Sequence, residues 1–116
     1  MDKPFIPVAR ADAIAPGRFL KVAVAAVPYI IANVGGRFYA VEDNCSHEDY
    51  PLSYGCLDGD RIKCPLHGSR FSLATGEPME EPATEPIHTY RIVVAKGQIW
   101  LDPTTPTGSS HPPTPV

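Results

Sequence analysis

Proline occupies 14 of the 116 positions and glycine another nine, scattered along most of the chain. Proline lacks an amide hydrogen and clashes with the preceding helical turn, so breakers at this density leave little room for long helices. Short segments rich in β-branched and aromatic residues recur between them, at 19–24, 29–34, 37–41, 90–95 and 98–101. Asn33-Val34-Gly35-Gly36 and Ala95-Lys96-Gly97 separate neighbouring segments and have hairpin-turn composition. The expected class is all-β, an antiparallel scaffold of short strands. Residues 9–15 have room for one brief turn or helix, which Pro16-Gly17 ends.

Between about 42 and 86 the alternation of apolar residues breaks down, and Cys, His, Gly, Pro and acidic residues crowd together. This reads as a loop-rich subdomain inserted into the scaffold, the two together forming one domain over residues 1–102. Residues 103–116 are mostly Pro, Thr, Ser and Gly with little to bury, and are expected to be a disordered tail.

Charge divides along the same line. Residues 42–85 carry ten acidic and three basic side chains, net −7; the remainder carries three acidic and seven basic, net +4, which together give −3. A net charge this small and negative argues against a nucleic-acid partner. The acidic segment reads either as an ordinary solvated face or as a docking surface that steers a basic partner. No apolar run is long enough to cross a membrane, and Met1-Asp2-Lys3-Pro4 does not open a secretory signal, so the cytoplasm is the expected location.

Three cysteines, Cys45, Cys56 and Cys64, in a chain without an evident export signal argue for thiol or metal chemistry over a disulfide framework. Two of them belong to short motifs, Cys45-Ser46-His47 and Cys64-Pro65-Leu66-His67, with sixteen residues between His47 and Cys64. Each motif offers one thiolate and one imidazole. Three readings are open. The residues are unrelated, as small buried cysteines often are. They hold structural zinc, although zinc modules usually group Cys with Cys and His with His. Or they hold a 2Fe–2S cluster with its cysteines on one iron and its histidines on the other. Alternating Cys and His suits the third reading, because each loop then reaches both irons.

The stretch from Cys45-Ser46-His47 to Cys64-Pro65-Leu66-His67-Gly68-Ser69-Arg70-Phe71, followed by Thr75-Gly76 and Pro82-Ala83-Thr84-Glu85-Pro86, resembles the Rieske ferredoxins of bacterial aromatic-ring dioxygenase systems. The resemblance covers roughly residues 3–102. It implies the Rieske fold, one Rieske-type 2Fe–2S cluster held by Cys45, His47, Cys64 and His67, and a cluster hydrogen bond from Ser69. It implies a one-electron carrier without a catalytic site, passing electrons from a flavin-dependent NAD(P)H ferredoxin reductase to a terminal oxygenase. A small subunit of a nitrite reductase or other oxidoreductase is the alternative within the same chemistry, and a zinc interaction module the alternative outside it. The expected docking surface is an apolar ring of Tyr50, Pro51, Pro65 and Leu66, rimmed by Glu42, Asp43, Glu48, Asp49, Glu80 and Glu81. Two departures from related proteins stand out. The respiratory-type disulfide positions are Tyr50 and Leu66, and Phe71 stands where high-potential members resemble Tyr. Both place the expected potential at the low end of the Rieske range, around −150 mV. Cys56 matches no ligand position and reads as a bystander.

Overall fold

The computed structural model describes residues 5–44, 51–65, 68–79 and 86–106, except the side chains of 104–106. Among the described residues nine strands carry the fold: β1 (Ile6–Arg10), β2 (Arg18–Val24), β3 (Val27–Val34), β4 (Arg37–Glu42), β5 (Cys56–Asp58), β6 (Arg61–Lys63), β7 (Arg70–Ser72), β8 (Thr89–Ala95) and β9 (Gln98–Pro106). The other regular elements among the described residues are two single 3-10 turns, Ala11–Ala13 and Leu52–Tyr54. The all-β expectation holds.

Six strands form one antiparallel sheet in the order β1-β9-β8-β4-β3-β2, curled so that its edge strands β1 and β2 approach each other. A three-stranded sheet, β5-β6-β7, lies within the segment expected to be loop-rich. Its strands have three residues each, too short for an apolar alternation to register in the sequence.

β3 explains how the two sheets share a core. Its run Tyr29-Ile30-Ile31-Ala32 is buried on both faces, as a continuous apolar run bounded by turns suggests. Ile30 and Ala32, with Val41 of β4, meet Leu52, Ile62, Cys64, Phe71, Leu73 and Ile87 from the inserted module. Tyr29 and Ile31 point the other way, into the curled sheet, against Ile14, Ala40, Ile99 and Leu101. Tyr29 also meets Tyr90 edge-to-face at 5.1 Å. Burial, then the nearby Glu42 charge, then Tyr29 push the Tyr90 phenol up to about 12. Asn33, 5% exposed, closes the far end of β3: its Nδ2 donates to the Ile14 carbonyl at 2.7 Å and its Oδ1 accepts from the Gly36 amide at 2.8 Å.

One boundary needs correction. The tail was expected from Pro103, yet β9 continues to Pro106, which pairs with Tyr90. β1 reaches β9 only as far as Leu101. Beyond that point β8 is the one neighbour among the described residues, so prolines without an amide hydrogen are tolerated on the open side. Residues 107–116 lie outside the described residues.

Four hairpins among the described residues turn in two residues, that between β5 and β6 at Gly59-Asp60. Gly35-Gly36 and Lys96-Gly97 have positive φ at both positions, as right-handed strand twist favours. The β2–β3 turn does the same with Ala25 at φ 52° and Ala26 at φ 69°, where a Cβ is unfavourable. Replacing Ala25-Ala26 by Asn-Gly should therefore stabilise the protein by roughly 1 kcal/mol. Urea denaturation checks this: the midpoint rises with an unchanged slope, and a fall would mean that the alanine methyls make contacts that outweigh the strain.

Candidate metal centre

β6 ends at Lys63 and hands the chain to Cys64, the one expected ligand among the described residues. Two backbone bonds pin the turn that follows: the Cys64 amide donates to the Ser69 carbonyl at 2.7 Å, and the Gly68 amide donates to the Cys64 carbonyl at 3.0 Å. Cys64 is 1% exposed and packs in the core with Ile62 and Phe71. It also lines an open cleft of about 450 Å³ shared with Tyr54, Gly55, Cys56, Lys63, Pro65 and Gly68. A soft sulfur donor at a cleft, shielded from bulk water and held by backbone bonds, is a suitable anchor for an iron–sulfur cluster. Pro65 is exposed beside it, and Ser69 is buried at 1%. Cys45, His47, Glu48, Asp49, Tyr50, Leu66 and His67, like Glu80 and Glu81, lie outside the described residues.

Cys56 is exposed, is the cross-strand partner of Lys63 and lines the same cleft. Phe71, which marked a departure from high-potential relatives, is fully buried and faces Ile62 across the small sheet. Arg70 bridges from β7 to Asp58 of β5 at 2.6 Å. Its hydrogen bond, and then its charge, hold the Asp58 carboxyl below its ordinary range.

The two carboxylates before the first motif are structural grips, not rim charges. Asp43, 4% exposed, accepts the Ser53 amide at 2.7 Å and the Ser53 hydroxyl at 2.8 Å, with the Lys21 ammonium 3.4 Å away. Glu42 accepts the His88 amide at 2.6 Å, and the His88 Nδ1 lies 3.2 Å from the same oxygen. The expected acidic rim therefore loses Asp43 to the interior, while Glu42 is partnered. Both carboxylates occur in an acidic stretch, where sequence alone does not separate a buried acceptor from a solvated charge.

Close backbone approach was also missed. A Cβ on Gly55 would collide with the Lys63 carbonyl, and one on Gly76 with the Ile87 carbonyl. Gly76 further holds φ 81°, and its carbonyl accepts the Ile87 amide at 2.8 Å, where the chain returns to the scaffold. Thr75-Gly76 was part of the resemblance, but Gly55 carried no sequence signal.

The Rieske [2Fe-2S] domain model matches residues 4–91. Ferredoxin CarAc of Metapseudomonas resinovorans is 38% identical over 102 residues, covering 87% of this chain and 95% of that protein. A chain in the complex of reduced oxygenase and oxidized ferredoxin in carbazole 1,9a-dioxygenase superposes with TM-score 0.81 at 37% identity, over 87% of this chain and 94% of that one. The ferredoxin of carbazole 1,9a-dioxygenase from Nocardioides aromaticivorans IC177 gives TM-score 0.81 at 30% identity, over 86% and 98%. Fold and family match together define a β-protein that holds an iron–sulfur cluster. The chain belongs to the Rieske [2Fe-2S] domain family, and its cofactor is a Rieske-type 2Fe–2S cluster.

Gly55→Ala should push the Lys63 backbone, and Cys64 with it, away from its packed position. Overpacking of this kind costs roughly 1–3 kcal/mol. Thermal melts should show Gly55→Ala well below wild type and below Gly59→Ala, which meets open space and is strained only by its positive φ. Equal melting temperatures for Gly55→Ala and wild type would refute the close approach.

Proposed function

We propose that Cys45, His47, Cys64 and His67 hold the cluster, and that the protein carries single electrons from a flavin-dependent ferredoxin reductase to a terminal ring-hydroxylating oxygenase. The observation that supports the role best is the near full-length match, at 38% identity, to ferredoxin CarAc. The structurally similar chain found with a carbazole 1,9a-dioxygenase oxygenase supports the second partner. The relatives named above are ferredoxins of such systems, which favours this role over a nitrite reductase subunit.

When bound, the cluster accepts one electron and returns it. The chain's own residues position that exchange. Cys64, whose backbone is bonded to Ser69 and Gly68, would present one thiolate. Exposed Pro65 and half-buried Pro51 would form part of the apolar contact, joined by Tyr50 and Leu66. Glu48 and Asp49 would supply the remaining acidic steering. Ser69 would donate to a cluster sulfur, and Phe71, having no hydroxyl, would donate none, which favours a low potential. A reducing cytoplasm would keep the ligand thiolates available to the cluster. No helix among the described residues is long and apolar enough to cross a membrane.

Reconstitution tests the whole reading. Oxygenase turnover with a flavin reductase and NAD(P)H should depend on this protein. Replacing Cys45 or Cys64 by Ser, or His47 or His67 by Ala, should abolish both colour and turnover, while Cys56→Ser keeps both. Full iron content in any one of the four variants removes that residue from the ligand set, and a colourless zinc-loaded wild type overturns the function.

A further inference from the structure

We infer that Asp43 is a positioning residue for the first ligand loop, acting through Ser53 and Lys21. This rests on the reading of Cys45 and His47 as ligands.

Asp43 and Ser53 stand on either side of residues 45–50, so their two hydrogen bonds close that loop at its base. The grip is tied to the scaffold on every described side. The Asp43 amide donates to the Pro28 carbonyl at 3.2 Å, at the start of β3. Lys21 reaches Asp43 from β2 at 3.4 Å, with its own side chain half exposed. One residue earlier, the Glu42 amide donates to the His88 carbonyl at 3.0 Å, while Glu42 Oε2 takes the His88 amide. Beyond Ser53, Leu52 is fully buried in the shared core. Both ends of the loop therefore leave fixed points.

The chemistry favours a positioning role over a general contribution to folding. A carboxylate removed from water is costly unless its oxygens are satisfied. Here Oδ1 takes a backbone amide, and Oδ2 takes a hydroxyl with a lysine nearby. A solvated surface charge needs no such arrangement. What these bonds hold together is the start and end of the segment that carries Cys45 and His47.

Three variants test this in the iron-loaded protein. Asp43→Ala removes the grip, Ser53→Ala removes only the hydroxyl bond, and Asp43→Asn keeps an oxygen for the Ser53 amide. Cluster loss under air, followed by visible absorbance, should quicken on the order of ten-fold in Asp43→Ala, the worth of one hydrogen bond to a charged group. Ser53→Ala should quicken it less, and Asp43→Asn should partly restore wild-type lifetime. The EPR spectrum of the reduced protein should broaden or shift in the same order, a readout that loss of stability alone does not move. If Asp43→Ala does not fold, the other two variants decide. Wild-type EPR and lifetimes in folded Ser53→Ala and Asp43→Asn overturn the proposal. A wild type without a Rieske EPR signal instead overturns the ligand assignment, and this inference with it.

Discussion

The side chain of Cys64 belongs to the hydrophobic core and to the wall of the cleft at once. Its neighbours in the core include Ile30 and Val41 of the large sheet and Ile62 and Phe71 of the small one. A packed interior resists small displacements because its side chains interlock at near-crystalline density. Building the proposed ligand Cys64 into that interior would make the position of the metal site a property of the whole fold. The small sheet has only nine strand residues in all, and without the shared core it would have little to fold against.

The same economy governs the connections. The module leaves the scaffold at Glu42-Asp43 and returns at Ile87-His88, and the two crossings are bonded to each other. Gly76 lets the returning chain approach closely enough for the Ile87 amide to reach its carbonyl. An electron carrier benefits from this construction, since a site that is pre-positioned by its supporting residues needs little rearrangement when its charge changes.

The scaffold was legible because its signals are local. Strand segments 29–34 and 37–41 and the glycine turn between them match β3, Gly35-Gly36 and β4 closely. The β2–β3 turn was not legible, because Ala25-Ala26 lacks the usual turn residues and is held by the pairing of long strands on both sides. β1 escaped notice for a similar reason: it joins the sheet through Leu101 and Trp100, contacts that are distant in sequence. The site divides in the same way. Cys64 was singled out from Cys-Pro-Leu-His as a candidate ligand, a local signal that needs no partner elsewhere in the fold. The burial of Asp43 and the clearance at Gly55 depend on what the fold brings opposite them, Ser53 in one case and the Lys63 carbonyl in the other.

The account as a whole turns on mixed sulfur and nitrogen ligation, because histidine ligands distinguish a Rieske centre from an all-cysteine cluster. Pulsed EPR of the one-electron-reduced protein observes this ligation without mutation. Two strongly coupled nitrogen nuclei, from His47 and His67, are the predicted result. A reduced cluster with no strong nitrogen coupling, or with one, would contradict the account.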